Sequence, residues 1–132
     1  GLEVVSFEAN STLEIIGESA FRDTDIVSIE IPKSVTEIQN EAFYQLGLEV
    51  VSFEPDSTLE TIGVSAFGYT NIVSIVIPKS VREIGQDAFY KSGLEVVSFE
   101  ANSKLETIGT GAFYGTNITS MVIPSTVKYF QK

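Results

Sequence analysis

Carboxylates are the side chains whose spacing first suggests chemistry. Glu8, Glu54 and Glu100 recur every 46 residues, and Lys33 and Lys79 lie between them at the same interval. Two carboxylates a few ångströms apart can share a proton or bind a cation. The chain has no histidine and no cysteine, so it lacks the commonest general base and all thiolate metal ligands. Any chemistry therefore depends on how closely the fold brings these carboxylates together.

An internal repeat governs those distances. The octapeptide GLEVVSFE occurs unchanged at residues 1–8, 47–54 and 93–100. A second phrase lies between the copies, at residues 26–35 and 72–81 and more loosely at 118–127. Each phrase opens a half-repeat, and successive half-repeats end at Phe21, Phe43, Phe67, Phe89 and Phe113. Coils of 22 and 24 residues thus alternate, within the range of leucine-rich repeats.

The two half-repeats align on their apolar residues. Leu2, Val5 and Phe7 of the long half match Ile26, Ile29 and Ile31 of the short half, and two extra residues follow Phe7. The alternation of apolar residues predicts a short half-buried strand in every coil. We expect these strands to hydrogen-bond as a parallel sheet on the concave face of a solenoid. Turns or short helical segments, such as residues 62–67, should close each coil on the opposite side.

This architecture argues against catalysis. Carboxylates in every second coil lie roughly 9.6 Å apart, twice the strand spacing, which is too far for a shared proton. Lys33 and Lys79 suggest instead a zigzag of opposite charges with Glu54 and Glu100 along the stack. Calcium would need six or more oxygens around one ion. Every reactive side chain is repeated, whereas an active site needs unlike groups at one place. We therefore expect no catalytic residue, no metal and no cofactor.

The run from Ile75 to Phe89, IVIPKSVREIGQDAF, carries a family resemblance. It resembles the BspA-like, or Treponema pallidum type, leucine-rich repeats, and the resemblance extends over almost the whole chain. The family often has cysteine three residues after the phenylalanine, where this chain has Thr24, Leu46, Thr70, Ser92 and Thr116. The resemblance implies a surface-exposed or secreted protein similar to adhesins. Its implied partners are host matrix proteins, host cells or other microbes.

Composition and charge narrow the range of partners. The net charge of −10 argues against nucleic acid and against anionic membrane surfaces, which both need clustered Lys and Arg. No apolar run approaches the roughly 20 residues of a membrane-spanning helix. The hydrophobic fraction of 43% is enough for a packed core. A protein partner is the remaining expectation.

The outward side of the strands is the expected binding surface, because its side chains project from a rigid sheet. The candidates are Glu3, Val4, Ser6, Glu8, Val27, Ser28, Glu30, Glu49, Val50, Ser52, Glu54, Val73, Ser74, Val76, Glu95, Val96, Ser98 and Glu100. Valines among hydroxyls and carboxylates suit a flat recognition face. Alternatively, the valines simply favour strands and the acids keep the sheet soluble.

Aromatic and asparagine residues offer further candidates. Tyr44, Tyr90 and Tyr114 each follow a buried phenylalanine and could serve as interface anchors, although packing along the stack is the preferred interpretation. The phenylalanines themselves should form the core. Asn10 and Asn117 fit the N-glycosylation pattern. Because both occupy repeated loop positions, we interpret these matches as coincidental, with the Asn10 amide capping the loop backbone.

Residues 1–132 form one repeat domain of five full coils and a partial sixth. Neither end shows a capping segment, so we expect a longer native protein and possible end-to-end self-association. The sequence predicts a protein-recognition or adhesion module at the cell surface or secreted from the cell. The alternatives are a spacer solenoid without its own ligand and an intracellular, cytoplasmic scaffold.

Overall fold

The computed structural model describes residues 4–131, which wind into stacked coils without a helix. The eleven short strands are β1 Val4–Val5, β2 Ile15–Ile16, β3 Ser28–Ile31, β4 Glu37–Ile38, β5 Val50–Phe53, β6 Thr61–Ile62, β7 Ser74–Ile77, β8 Glu83–Ile84, β9 Val96–Phe99, β10 Thr107–Ile108 and β11 Tyr129–Phe130. All strand pairs are parallel. The solenoid fold predicted from the repeat is confirmed.

The strand register confirms the alignment of the two half-repeats. Val5 pairs with Ile29, which pairs in turn with Val51 on the next strand. Ile31 pairs with Phe53 one step further along the same ladder. These inward residues contact the core, whereas the residues between them face outward. The apolar alternation therefore correctly identified both strand position and strand face.

The sheet formed by these strands is interrupted, contrary to the expected continuous ladder. Strands β1, β3 and β5 form one sheet and β7 and β9 form another. Between β5 and β7 the ladder is absent, although the Asn71 N–H donates to the Leu48 carbonyl at 2.9 Å just before these strands. Each short coil pairs over four residues with the long coil that follows it. In contrast, β1 pairs with the next short coil over two residues, and β5 does not pair with β7.

Proline removes one hydrogen bond from each junction that follows a long coil, although β1 and β3 still pair across such a junction. The Glu54 N–H donates to the Ile31 carbonyl at 3.0 Å, and the Glu100 N–H donates to Ile77 at 3.1 Å. Where a short coil follows a long one, as β7 follows β5, the residue equivalent to Glu54 is Pro78. Proline has no N–H and cannot donate this bond. Each short coil carries proline at this position, so each junction after a long coil loses that bond.

A second sheet, which the sequence analysis did not predict, runs through the whole stack. It contains β2, β4, β6, β8, β10 and β11 in that order, each only two residues long. Its inward isoleucines are buried: Ile16, Ile38, Ile62, Ile84 and Ile108. Two-residue strands carry too little alternation to be recognised from sequence. Continuity along the stack thus comes from this sheet rather than from the predicted one.

Turns rather than helical segments close each coil. Each turn has two residues with positive φ, at the positions equivalent to Ser65 (φ 55°) and Tyr69 (φ 56°). Left-handed residues direct backbone N–H groups toward the next coil, where Phe43 donates to Ala66 at 2.8 Å. A helix would use these groups internally, so the turn geometry replaces helix formation with bonds between coils.

A stack of phenylalanine rings fills the centre of the solenoid, as predicted. Successive rings are 4.9–5.4 Å apart and within 10° of parallel. Phe43, Phe67 and Phe89 are completely buried. The ring spacing matches the coil spacing, so the same residue type packs against its own copy in each coil.

Glycines after the second-sheet strands allow the coils to approach closely. A Cβ added to Gly85 would lie 2.9 Å from backbone atoms of Gly63 and Val64 in the preceding coil. Backbone atoms on both sides cannot move aside without disturbing the second sheet. In contrast, a Cβ added to Gly47 would have no heavy atom within 4 Å.

We expect Gly85→Ala to lower the free energy of unfolding by about 1–3 kcal/mol through this overlap. Gly47→Ala is the matched control and should leave stability unchanged or raise it by about 0.4–1 kcal/mol. Urea denaturation of both variants measures the difference. Equal stabilities would contradict the close approach of the coils.

Hydrogen exchange tests the break in the first sheet. In β5 the Val50 N–H bonds toward β3, so by alternation Val51 and Phe53 face β7. The N–H groups of Ser74 and Val76 face the gap from the other side. These four amides should exchange on the order of tenfold faster than their strand neighbours. Equal protection throughout β7 would show that the ladder closes in solution.

Candidate functional site

The strand face consists of the outward side chains of β1, β3, β5, β7 and β9 and of the residues that flank these strands. The candidates exposed there are Val4, Ser6, Glu8, Val27, Glu30, Glu49, Val50, Ser52, Val73, Ser74, Val76, Glu95, Val96, Ser98 and Glu100. Ser28 and Glu54 are half-buried. Glu3 lies outside the described residues. The structure therefore brings the described candidates onto one side of the stack.

Valine and serine alternate along the stack on this face. The register places Val4 beside Ser28 and Ser28 beside Val50, and the pattern continues from Ser74 to Val96. The valines are 55–64% exposed, which is high for apolar side chains on a regular sheet. The face thus presents a row of apolar contacts at intervals of two coils.

Only acidic charges accompany the valines on the strands and the residue before each. Glu30, Glu49 and Glu95 are exposed there, and no Lys or Arg occupies these positions in residues 4–131. Lys33 and Lys79 lie beyond the ends of β3 and β7. The strand face therefore combines apolar contact area with negative charge.

Val122 belongs to the same face and was missed in the sequence analysis. It is 87% exposed and lies 46 residues after Val76. Ser120 likewise follows Ser74 by one full period and is exposed. Extending the repeat into the sixth coil would have found both residues.

The predicted zigzag of ion pairs is wrong. Oε1 of Glu54 accepts the backbone N–H of Lys33 at 2.9 Å, and Oε1 of Glu100 accepts that of Lys79 at 2.8 Å. Neither carboxylate lies within 4.0 Å of a lysine ammonium group in the described part of the chain. Because the lysine amide follows proline at the end of a strand, it needs an acceptor that the ladder does not supply.

The tyrosines form a ladder on the turn side, so the predicted packing of tyrosines along the stack is confirmed. Tyr44 contacts Tyr69 at 5.6 Å between ring centroids, Tyr69 contacts Tyr90 at 5.6 Å, and Tyr90 stacks on Tyr114 at 5.5 Å. Tyr69 was missed because it follows its phenylalanine by two residues instead of one. Gly68 takes the usual position, where a Cβ would lie 3.2 Å from the Tyr44 ring.

Threonine hydroxyls make hydrogen bonds at the position where the family often has cysteine. Thr24, Thr70 and Thr116 each donate from Oγ1 to the carbonyl of the phenylalanine three residues earlier, at 2.7–2.8 Å. Leu46 is buried at the same position in the second coil. The fold therefore accepts either a hydroxyl or an apolar side chain there.

Across residues 4–131, no group of three or more Asp, Glu, His or Cys side chains could hold a metal ion. That same part of the chain lacks any helix of the length and apolarity that crossing a bilayer requires. The geometry presents a surface on which exposed valine, serine and glutamate side chains repeat from coil to coil.

Stacked coils with short parallel strands on one side and turns on the other define a leucine-rich-repeat solenoid, a class that is typically non-catalytic and generally binds proteins. The chain belongs to the BspA type leucine rich repeat family, whose pattern matches residues 14–132 in six copies. None of the curated proteins compared with the chain matches it.

Two solved structures are similar to this solenoid. The pneumococcal vaccine antigen PcpA is 27% identical, with a TM-score of 0.85 over 96% of this chain and 36% of PcpA. A leucine rich cell surface protein from Faecalibacterium prausnitzii is 22% identical, with a TM-score of 0.60 over 97% of this chain and 43% of that protein. The chain thus spans less than half the length of either structure.

Substitutions of Glu54 can distinguish its hydrogen bond to the Lys33 backbone from an ion pair with the Lys33 side chain. Glu54→Gln keeps an acceptor oxygen and should change the free energy of unfolding by less than about 0.5 kcal/mol. Glu54→Ala removes the acceptor and should cost about 1–2 kcal/mol. Thermal and urea unfolding measure both. A loss of stability in Lys33→Met equal to that in Glu54→Ala would instead indicate an ion pair.

Proposed function

We propose that this solenoid is the recognition part of a surface-exposed or secreted adhesin and that it binds a protein partner through the strand face. The observation that carries the proposal is the row of exposed valines on a sheet whose geometry repeats along the stack. Exposed apolar area on a rigid surface is typical of protein-binding sites. Strands support these side chains, so binding costs little ordering of the surface.

Family membership and one relative support the extracellular assignment. PcpA is a vaccine antigen, which is consistent with exposure outside the cell. Since this chain corresponds to about a third of PcpA, we extend only this location to it. The attachment partners that the family resemblance implies, host matrix and cell-surface proteins, are the partners to test first.

The repeated surface also supports a non-enzymatic role. Serine, glutamate and tyrosine side chains recur at equivalent positions in successive coils, so the repeat itself creates no single place where unlike reactive groups converge. Catalysis needs such convergence at one place. We therefore propose binding without turnover.

Surface binding to a panel of host matrix and cell-surface proteins tests the proposal. The variant Val50→Lys/Ser52→Lys/Val73→Lys places three cations on the strand face. It should abolish saturable binding, because the two valine contacts are lost and the charge of the face no longer matches the partner. Circular dichroism should show an intact fold, since all three side chains are exposed.

A control variant separates the strand face from charge alone. Glu14→Lys/Glu60→Lys/Glu83→Lys adds three lysines at exposed positions on or beside the second sheet and should bind as the unchanged chain does. Binding that survives the strand-face variant would move the site to the turns. A complete lack of binding by the folded chain would favour the spacer or the intracellular scaffold.

A further inference from the structure

Four tyrosine rings, called here the tyrosine ladder, run along the turn side of the stack. They belong to Tyr44, Tyr69, Tyr90 and Tyr114, and consecutive ring centroids lie 5.5–5.6 Å apart. Unlike the central phenylalanine rings, members of this ladder are open to solvent: Tyr69 is 42% exposed and Tyr114 is 62% exposed. Phenol rings that are both accessible and in contact can react with one another without a collision between two molecules.

The ladder continues through a coil in which the tyrosine has changed position. In the third coil, glycine occupies the usual position and Tyr69 supplies the ring from the next one, at a positive φ of 56°. A left-handed backbone is uncommon for a bulky residue. Gly68 leaves space for the Tyr44 ring, since a Cβ there would lie 3.2 Å from it. Ring contact therefore extends over four consecutive coils despite the shift in sequence.

Tyr90 and Tyr114 are the pair whose geometry best suits bond formation. Their rings are within 15° of parallel, with centroids 5.5 Å apart. Because equivalent residues extend in the same direction from the stack, the ring carbons beside the two hydroxyl groups lie next to each other. In contrast, Tyr69 meets Tyr44 at 84° and Tyr90 at 66°. In those two contacts the edge of one ring faces the plane of the other.

One-electron oxidation can couple two adjacent phenols. Each phenol loses an electron and its hydroxyl proton and becomes a phenoxyl radical, whose unpaired electron is shared with the ring carbons beside the oxygen. Two radicals combine through these carbons and form one C–C bond. Each of the two carbons then loses its proton and each oxygen regains one, which restores both phenols. In total the protein loses two hydrogen atoms, and one hydrogen peroxide accepts them and becomes two waters.

The ladder can supply both radicals, although Tyr90 itself is half-buried. A haem peroxidase can oxidise Tyr114 directly because that ring is 62% exposed. The same enzyme can oxidise the exposed Tyr69. Since the Tyr69 and Tyr90 ring centroids are 5.6 Å apart, the Tyr69 radical can then take an electron and a proton from Tyr90. The second radical thus arrives at the ring that stacks on Tyr114.

We propose that Tyr90 and Tyr114 form a site of oxidative modification, at which a haem peroxidase and hydrogen peroxide produce a dityrosine cross-link between the fourth and fifth coils. The site lies on the turn side, and it is independent of the function proposed for the strand face. Its product joins two neighbouring coils covalently on the side of the stack opposite the strand face.

Treatment of the chain with peroxidase and hydrogen peroxide tests the proposal at a protein concentration low enough that molecules rarely meet. The monomer recovered by size-exclusion chromatography should show dityrosine fluorescence and a mass lower by two hydrogen atoms. Peptide mapping should join the peptides that contain Tyr90 and Tyr114. Dityrosine found only in covalent dimers, or a monomer joined through other residues, would overturn the proposal.

Tyr114→Phe and Tyr129→Phe are matched variants, since each removes one exposed phenol hydroxyl and keeps the ring. Tyr114 is 62% exposed and Tyr129 is 66% exposed, but Tyr129 pairs with Thr107 in the second sheet and lies outside the ladder. Tyr114→Phe should abolish dityrosine in the monomer, whereas Tyr129→Phe should leave its yield unchanged. An undiminished yield in Tyr114→Phe, or equal losses in both variants, would contradict the assigned pair.

Tyr69→Phe tests the path of the second radical. It leaves the stack of Tyr90 on Tyr114 in place, so it should slow cross-linking without changing the residues that are joined. Tyr44→Phe is the control, because Tyr44 is half-buried and does not contact Tyr90 through its own ring pair. An unchanged rate in Tyr69→Phe would overturn the path through the ladder.

Urea unfolding of the cross-linked monomer provides an independent measurement. A covalent link that closes a loop of one coil restricts the unfolded chain, so the midpoint should rise by on the order of 1 M relative to the untreated protein. An unchanged midpoint would contradict a link between adjacent folded coils.

Discussion

The fold depends on hydrogen bonds that connect each coil to its neighbours in opposite directions on its two sides. At the second sheet, the later coil donates to the earlier one, as Gly63 does to Ile38 at 2.8 Å. At the turns, the earlier coil donates to the later one, as Phe67 does to Ala88 at 2.7 Å. Every coil is therefore both donor and acceptor toward each neighbour, and it cannot shift without breaking bonds on both sides.

This arrangement explains why the strand face can tolerate gaps. Packing of the phenylalanine rings and the continuous second sheet already hold the coils together. Proline in each short coil can then remove a bond from the first sheet without separating the coils.

Much of this fold was predictable because it rests on side-chain pattern. The alternation in residues 50–53 predicted a strand with Val51 inward and Val50 outward, and the repeat placed the phenylalanines in one stack. The second sheet was not predictable, since a pair such as Thr61–Ile62 is too short to show a period.

The details of the strand face were harder to predict because they depend on backbone bonds between coils. Pro78 was visible in the sequence, but its effect requires knowing that the equivalent Glu54 N–H bonds to the preceding coil. The same geometry assigned Glu54 to a backbone amide instead of an ammonium group. Exposure of the candidate residues followed from their pattern, whereas the groups that they contact did not.

The alternation of long and short coils has a consequence for how such a protein can change in length. Insertion or deletion of one 46-residue unit preserves the order of junctions, so every proline still faces a long coil and every Glu54 equivalent still meets a lysine amide. A change by a single coil would bring two long or two short coils together and leave one of those partners unmatched. Duplication within a gene of this kind is therefore expected to proceed in steps of two coils.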